Sequence, residues 1–320
     1  MDMHAASRIT VRRLGSSDLE EALRIFRLAF GTFVGLPDPL QFMGDADLVG
    51  PRWRSNPDAF LGARADGELI GSNCASGWGS VGFFGPLTVR PDWWGRGVAQ
   101  RLLEPTLALF DEWGTRHVGL FTFPHSPQHV GLYQKFGFWP RTLTAVMASA
   151  AAAGEGGAQQ YWLLGGKSQS AQDAALAEMR ALTGRIYDGL DVSAEARAVL
   201  AQGTGDVLVV DDEGGPAAFA VCHFGAGSEG GSGACYLKVA AARPGAGAEA
   251  RFERLLGACA DFAQRQRLAR VVGGVNTARG AAYRCMLRRG FRTEILGVTM
   301  HRPDDPGYDR PNVFLVDDWR

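Results

Sequence analysis

The sequence predicts an α/β protein of the α+β kind, arranged as two tandem halves that share one order of elements. Short apolar runs typical of strands alternate with segments whose apolar residues recur at helical spacing. The order found before residue 150 returns after residue 160. Residues 150–159 read AAAAGEGGAQ, a small-residue stretch typical of a linker. We therefore expect one domain over 1–150, a linker over 151–159 and a second domain over 160–320.

The N-terminal half is predicted to begin with a strand over 9–14. A helix follows, because Ser16-Ser17-Asp18 offers an N-cap and apolar residues then recur every three or four positions. Asp66-Gly67 between two apolar runs indicates a hairpin. Further on, Ser126 followed by Pro127 begins another helix, which Gly137 ends. The remaining predicted elements are strands at 59–64, 69–75, 83–89, 118–123 and from 138 onward, and a helix after Gly97.

The C-terminal half repeats this order at a nearly constant offset. The matched pairs are Val89 with Val239, Gly95 with Gly245, Gly97 with Gly247, and Tyr133 with Tyr283. The last helix of each half ends in Gly-Phe. An internal duplication is therefore expected, with the tail 308–320 adding a strand to the second sheet. Predicted helices lie at 171–187, 193–201 and 248–264, and strands at 207–211, 217–224, 235–241 and 271–275.

Charge and cysteine usage exclude several classes of function. The formal net charge is −1, so no overall field attracts nucleic acid or anionic lipid. No apolar run is long enough to span a bilayer or to serve as a signal sequence. The five cysteines are odd in number, and none forms a CxxC pair, which favours buried reduced thiols. We expect a cytoplasmic protein with no nucleic-acid or membrane partner.

The stretch 89–103 carries the strongest chemical signal. A strand ends at Val89, Pro91 enforces an extended turn, and Gly95 and Gly97 stand at the start of a long helix. The first turn of a helix leaves backbone N–H groups unpaired at the positive end of the helix dipole. Glycines let a bulky anion approach those amides. The stretch therefore predicts a site for a phosphate or pyrophosphate.

Two other glycine-rich motifs fit the sequence less well. A dinucleotide fingerprint would need a third glycine where Gln100 stands. A P-loop that ends at Gly165-Gly166-Lys167-Ser168 would need a glycine at position 161, which is occupied by Tyr161.

The sequence resembles the GNAT acetyltransferase superfamily. The family's motif, [QR]-x-x-G-x-[GA] after a strand ending V-x-P, is similar to Val89-Arg90-Pro91 followed by Trp94-Gly95-Arg96-Gly97-Val98-Ala99. A later segment ending Y-x-x-x-G-F is similar to residues 126–138. One departure is Trp94, which stands where the family has Gln or Arg. Its pyrophosphate contact would then be lost or supplied by Arg96.

The resemblance implies a mixed, mostly antiparallel twisted sheet in each half, with flanking helices and central strands that splay apart. Acetyl-CoA or another acyl-CoA would be the co-substrate, bound in that wedge without a metal. Its pantetheine would pair with backbone near Leu87, Thr88 and Val89. The other expected cofactor-binding residues are Trp94, Gly95, Arg96, Gly97, Val98, Ala99, Arg101 and Ser126.

The resemblance also implies that Tyr133 protonates the departing thiolate, a step that a nearby O–H group stabilises. His125 and His129 follow the preceding strand, and histidine has a suitable ordinary pKa for a general base. His125 is the candidate for this base. A cap or surface role is the more ordinary interpretation of both histidines, and in many relatives a water relay serves in place of a single base. Metal binding is the least favoured interpretation because no third ligand accompanies the pair.

The expected acceptor is a small molecule with a primary amine. Phe33, Phe42, Trp53 and Trp78 flank the early loops where the family's acceptor pockets lie, and Asp38, Asp45 and Asp47 could attract an amine cation. A non-catalytic acyl-CoA sensor and another acyl-CoA reaction, such as decarboxylation, remain alternatives. The chain would act as a monomer or a homodimer.

The C-terminal half is expected to be degenerate and to shape the substrate cleft. Glu249 stands where the pyrophosphate would lie, and a carboxylate beside that dianion lowers affinity. The alternative is that both halves bind acyl-CoA, since Asn276 and Tyr283 resemble the family's later segment.

Overall fold

The structure, a computed structural model, describes residues 9–151 and 160–320. The predicted linker at 151–159 lies outside the described residues except for Ala151. The fold is mixed α/β, with a large sheet covered by helices on both faces. The predicted fold class is confirmed.

The N-terminal half contains seven strands and four α-helices among its described residues. The strands are β1 (Thr10–Arg13), β2 (Phe60–Ala65), β3 (Glu68–Trp78), β4 (Val81–Phe84), β5 (Thr88–Val89), β6 (His117–Thr122) and β7 (Trp139–Ala150). The helices are α1 (Leu19–Phe33), α2 (Gly50–Ser55), α3 (Val98–Glu112) and α4 (Pro127–Gln134).

The described part of the C-terminal half repeats this composition. Its strands are β8 (Trp162–Leu163), β9 (Gly205–Asp212), β10 (Gly215–Gly225), β11 (Gly231–Ala242), β12 (Arg270–Asn276), β13 (Arg292–Arg302) and β14 (Leu315–Val316). Its helices are α5 (Gln169–Ile186), α6 (Ser193–Gln202), α7 (Ala248–Arg265) and α8 (Gly280–Arg288). β14 lies in the tail, where a strand was predicted.

The two halves exchange their last long strands. The strand order is β1-β2-β3-β4-β6-β13-β7-β12-β11-β10-β9-β8, with β5 paired to β3 and β14 to β11. β13 pairs with β6 of the N-terminal half, and β7 pairs with β12 of the C-terminal half. β7 and β13 also pair with each other. The sheet is therefore continuous through both halves, whereas the sequence suggested one sheet in each.

Among the described residues, each half has one parallel strand pair and the other ladders are antiparallel. β4 pairs with β6 only from Val81 to Phe83, and β11 pairs with β12 only from Ala234 to Leu237. Beyond these short ladders the two strands of each pair separate. We call the two openings the N-terminal wedge, between β4–β5 and β6, and the C-terminal wedge, between β11 and β12.

The strand predicted over Phe83–Val89 is interrupted. β4 ends at Phe84 and β5 begins at Thr88, although both pair with β3. Pro86 has no backbone N–H to donate to a ladder, and Gly85 has a φ of +148°, which L side chains rarely adopt. The residues of the break, Gly85, Pro86 and Leu87, line the N-terminal wedge.

A buried charged cluster joins the halves beside this break. Arg52 of α2 donates to both carboxylate oxygens of Glu229, at 3.0 and 2.6 Å, and to the Gly85 carbonyl at 2.8 Å. Lys238 of β11 donates to the same carboxylate at 2.9 Å. Although burial alone would raise the pKa of Glu229, Arg52 and Lys238 hold it well below its ordinary value. Glu229 is therefore a carboxylate held between the halves.

Candidate active site

The edge of β5 supplies backbone groups to the N-terminal wedge. Val89 lies opposite Gly71 of β3, and the next residue, Arg90, donates its N–H to the Ile70 carbonyl. Residues alternate in an antiparallel ladder, so the N–H and C=O of Val89 point away from β3 and into the wedge. The carbonyl is already used, since the Trp94 indole N–H donates to it at 2.7 Å. The Val89 N–H faces the opening.

The first turn of α3 lies at the mouth of the same wedge. Gly97, with φ +75° and ψ 10°, is the N-cap and offers no side-chain acceptor. Gly95 is also left-handed, with φ +76°, and a Cβ there would meet no atom within 4 Å. Within the described residues, no protein acceptor is found for the amides of Val98, Ala99 and Gln100. The turn therefore offers three adjacent donors at the positive end of a helix dipole.

Basic side chains surround this turn. Arg96 and Arg101 are exposed, and the Arg96 guanidinium lies over the Trp93 ring, 4.9 Å from its centroid. Lys135, at the end of α4, lines the opening. An anion held by the amides would find cations on both sides of the opening.

A cavity of about 820 Å³ extends inward from the mouth. Tyr133 lines it from α4 and is buried, with its ring 5.8 Å from that of Phe84. Burial raises the pKa of the Tyr133 hydroxyl, which therefore keeps its proton near neutral pH. No described residue hydrogen-bonds this hydroxyl, so it is free to donate toward the cavity.

His129 lines the cavity one turn before Tyr133, whereas His125 is exposed and does not line it. The Ser126 hydroxyl accepts from the His129 amide at 3.3 Å and caps α4, as predicted. Burial, and then the neighbouring His125, lower the pKa of His129. Its imidazole is therefore mainly neutral at pH 7 and able to accept a proton.

The C-terminal tail supplies the far wall of the cavity. Trp319 lies against Gly119 of β6, where a Cβ would fall 1.9 Å from the indole ring. Its indole N–H donates to the Tyr308 hydroxyl at 2.9 Å, and Tyr308 in turn donates to Asp317. Buried Arg279, the residue before α8, also donates to Asp317 and, at 2.7 Å, to Asp309. A buried ionic network of the C-terminal half thus holds a residue in the N-terminal cavity.

The C-terminal wedge has the same backbone turn but different contents. Gly245 and Gly247 are left-handed, with φ of +101° and +78°. β14 pairs with β11 inside the wedge, and Val316 packs against Gly273 of β12. The Ala248 amide donates to the Gly245 carbonyl at 3.1 Å, so one donor of the turn is used. The tail strand occupies the space that is open in the other half.

Charged side chains of the C-terminal turn are paired within the protein. Arg251, the counterpart of Arg101, donates to Asp212 at 2.9 Å and to the Ala246 carbonyl at 2.8 Å. Glu249 is paired with Arg288. Asn276, the counterpart of Ser126, bonds Thr142, Thr144 and Thr299 where β7, β12 and β13 meet. These residues fasten the exchanged strands together.

Most of the predicted cofactor-binding residues line one cavity. They are Leu87, Val89, Trp94, Gly95, Gly97, Val98, Ala99 and Ser126, together with the predicted proton donor Tyr133. Thr88, Arg96, Arg101 and His125 do not line it. Thr88 is buried, and its hydroxyl lies 3.0 Å from that of Ser72, its cross-strand partner on β3, because the side chains of neighbouring residues point to opposite faces of the sheet.

The expected acceptor residues divide in the same way. Phe33 and Phe42 line the cavity, but Trp53 donates to the Leu14 carbonyl and Trp78 donates to Glu195. Sequence reasoning missed Phe121, Phe123 and the tail residue Trp319 as cavity residues. Aromatic residues in a strand are read as core, and no local signal brings residue 319 to β6.

Among residues 9–151 and 160–320, no group of three or more His, Cys, Asp or Glu side chains is arranged to hold a metal ion. In the same residues no helix has the length and apolar character needed to cross a membrane. All five cysteines are buried thiols.

The N-terminal half matches the sequence model of a known protein family. The sequence model of the acetyltransferase (GNAT) family matches residues 21–138, which contain the wedge, α3 and Tyr133. A search of curated proteins found no match.

Solved structures match the whole fold. A putative acetyltransferase from Pyrococcus horikoshii aligns with a TM-score of 0.70 and 14% identity over 97% of this chain and 95% of that chain. A GCN5-related N-acetyltransferase from Sphaerobacter thermophilus aligns at 0.57 and 15% identity, over 92% and 95%. A GCN5-related glucosamine N-acetyltransferase region of a fungal β-N-acetylglucosaminidase aligns at 0.60 and 14%, over 94% and 39%. At such identities these similarities establish the fold.

Proposed function

Because residues 21–138 are a domain of the GNAT acetyltransferase family, we propose that this chain transfers an acyl group, acetyl in the simplest case, from acyl-CoA to a primary amine. The observation that carries the proposal is the row of three unpaired amides at the start of α3, at the mouth of a wedge that leads to Tyr133. The pyrophosphate of CoA is the anion that this turn suits. Arg96, Arg101 and Lys135 supply compensating charge.

The wedge suits the rest of the donor molecule. The outward N–H of Val89 can pair with an amide carbonyl of the pantetheine arm, as another strand would. The Val89 carbonyl cannot be used unless the Trp94 side chain moves. Trp94 thus replaces the usual Gln or Arg with a side chain that fixes β5 rather than one that contacts phosphate. This leaves Arg96 to supply charge there.

The chemical step requires two proton positions, which the cavity provides. The neutral amine nitrogen attacks the thioester carbonyl, a C–N bond forms, and the C–S bond breaks. The departing sulfur takes the proton of the Tyr133 hydroxyl, and the nitrogen loses a proton to His129 or to water at the mouth. Solvent then returns a proton to Tyr133, and the products are an amide and free CoA. His129 suits the role of base better than His125 because only His129 lines the cavity.

We further propose that only the N-terminal wedge binds CoA. β14 occupies the C-terminal wedge, and Arg251 and Glu249 are engaged by Asp212 and Arg288. The C-terminal half would then serve the site by holding Trp319 in it.

Incubation with acetyl-CoA and a library of primary amines, followed by mass spectrometry, tests the proposal. We expect acetylated products, together with release of one free thiol per product. CoA binding without any product would favour a non-catalytic sensor, and thiol release without an acylated amine would favour another acyl-CoA reaction. If calorimetry detected no CoA binding to the folded protein, the proposal would be wrong.

A further inference from the structure

The inner end of the cavity is lined by a continuous row of phenylalanine rings, which we call the aromatic wall: Phe26, Phe30, Phe33, Phe42, Phe121 and Phe123. Phe30 lies 5.2 Å from Phe26 and 5.5 Å from Phe42, measured between ring centroids. Phe33 lies 4.9 Å from Phe123. These separations are typical of interacting aromatic rings, so the wall forms one surface.

The wall ends beside the proposed chemistry. The Phe33 ring lies 4.9 Å from that of His129, and Tyr133 follows His129 by one turn of α4. A molecule resting on the wall would therefore present its end to the two residues that handle protons. This position suits the acceptor.

Most of the wall is only half-buried. Phe30, Phe33, Phe42, Phe121 and Phe123 keep part of their ring surface open to the cavity, whereas Phe26 is fully buried. Apolar surface left in water lowers stability, and a ligand that covers it recovers that free energy. Flat rings give the largest contact with such a surface.

No Asp or Glu side chain lines the cavity within the described part of the chain. The three candidates for attracting an amine cation are used elsewhere. Asp38 accepts from the Leu40 amide, Asp47 accepts from the amides of Val49 and Gly50, and Asp45 is bonded to Ser232. Arg320 lines the cavity as well, and its guanidinium is paired with Asp318 at 3.0 Å. A charged second amine on the acceptor would therefore be buried without an Asp or Glu side chain to pair with.

We propose that the acceptor is a monoamine whose body is aromatic or similarly flat and apolar, and not a polyamine or a sugar. The inference rests on the proposed function and narrows its substrate class. The reacting nitrogen enters uncharged and lies near His129 and Tyr133, while the ring of the acceptor packs on the aromatic wall.

Three amines of similar length test this inference with acetyl-CoA: 2-phenylethylamine, butylamine and 1,4-diaminobutane. We expect kcat/KM for 2-phenylethylamine to exceed that for butylamine by about tenfold, the factor that one buried ring readily supplies. The diamine should fall below butylamine by about tenfold because its second charge lacks a partner. Equal or higher kcat/KM for the diamine would overturn the inference.

Variants of the wall sharpen the test. Phe30→Ala should remove most of the preference for the ring, and calorimetric binding of CoA to this variant shows that the protein is folded. Phe33→Glu supplies the missing carboxylate and should raise the relative kcat/KM of the diamine. Leu287→Ala, an exposed apolar truncation on α8 away from the cavity, is the control and should change nothing. A preference for the ring that survives Phe30→Ala and Phe33→Glu would contradict the assignment.

The donor offers another occupant for the wall. If hexanoyl-CoA outperformed acetyl-CoA with butylamine, and Phe30→Ala abolished that advantage, the wall would hold the acyl chain and the acceptor assignment would be wrong. In either case CoA binding and thiol release would still stand. Failure of the proposed function itself would appear as absent CoA binding, and the two failures are therefore distinguishable.

Discussion

The two wedges of this protein share a backbone and differ in what fills them. In both, a left-handed glycine precedes a long helix, with φ of +75° at Gly97 and +78° at Gly247. In the N-terminal wedge the first amides of the helix are unpaired and the strands open onto a cavity. In the C-terminal wedge an amide is paired and β14 lies between the strands. The glycine turn is therefore retained in both halves, while the openness that a ligand needs remains in one.

The tail connects the two wedges. It forms β14 in the C-terminal wedge and then reaches Gly119 at the inner end of the N-terminal wedge through Trp319. The chain that closes one site therefore completes the wall of the other. If only the N-terminal wedge binds CoA, as proposed, the second half would still contribute Trp319 to that site.

The largest expected difference between the halves concerns their matched tyrosines. Tyr133→Phe removes the proposed proton donor and should lower kcat by about 10²–10⁴-fold, the usual range for general acid catalysis, while CoA affinity stays within a factor of two or so. Tyr283→Phe is the matched control, since Tyr283 packs partly buried against the core of α7 and α8. Steady-state kinetics measure both, and an equal loss in the two variants would end the distinction.

The charged cluster between the halves should dominate stability. Arg52→Met leaves Glu229 buried with Lys238 alone, and breaking a buried pair costs about 3–5 kcal/mol in the free energy of unfolding. Urea denaturation measures this loss at pH 7. Arg13→Met is the control, because its pair with Asp58 is exposed and worth about 1 kcal/mol or less.

The same cluster predicts a pH dependence. The folded-state pKa of Glu229 lies below its unfolded value, so its stabilising contribution is present above about pH 4.5 and is lost as the pH falls toward the folded pKa. Wild type should therefore lose stability on acidification below that pH more steeply than Arg52→Met, in which the pKa difference is smaller. Identical acid profiles would contradict this account.

The histidines should differ in their effect on the pH profile of kcat/KM. With His129 as base, activity falls as the pH drops through a pKa below the ordinary histidine value, because burial lowers it. His129→Gln should remove this limb and reduce activity by about tenfold at neutral pH, since water at the mouth can still take the proton. His125→Gln should leave the profile unchanged. The reverse pattern would assign the base to His125.

The smallest expected effect is a null result in the C-terminal wedge. Glu249→Ala removes the carboxylate beside the second glycine turn, yet β14 still fills the wedge, so no second CoA site should appear. Calorimetry with CoA tests this directly. A second binding event in this variant would show that charge, and not the tail strand, closes that wedge.

The features that the sequence predicted correctly are local ones, set by residues close together in the chain. The turn at Gly95 and Gly97 and the Ser126 cap are local, since glycine favours positive φ and a serine hydroxyl accepts from a nearby amide. The internal duplication stays a prediction, based on glycines and tyrosines that recur at one offset. These features located the mouth of the cavity and Tyr133.

What depends on distant pairing was not predictable in this way. The apolar patterns of β7 and β13 are compatible with pairing in either half. The sequence pattern therefore does not indicate that the two strands are exchanged. Phe26 and Phe30 recur at helical spacing, and such spacing predicts a core face equally well. The position of Trp319 depends on hydrogen bonds among Arg279, Asp317 and Tyr308, which come from separate segments of the chain.

A titration of CoA into the wild type, Gly97→Asp and Gly247→Asp tests the central claim most directly. The substitutions place the same carboxylate at matched left-handed positions, so the backbone strain is alike. The nearest side chain is Gln100 at position 97 and Arg251 at position 247. We expect one CoA per wild-type chain, a loss of affinity of about 100-fold in Gly97→Asp because the new charge faces the phosphates, and no change in Gly247→Asp. Two sites in the wild type, or a loss confined to Gly247→Asp, would contradict the account.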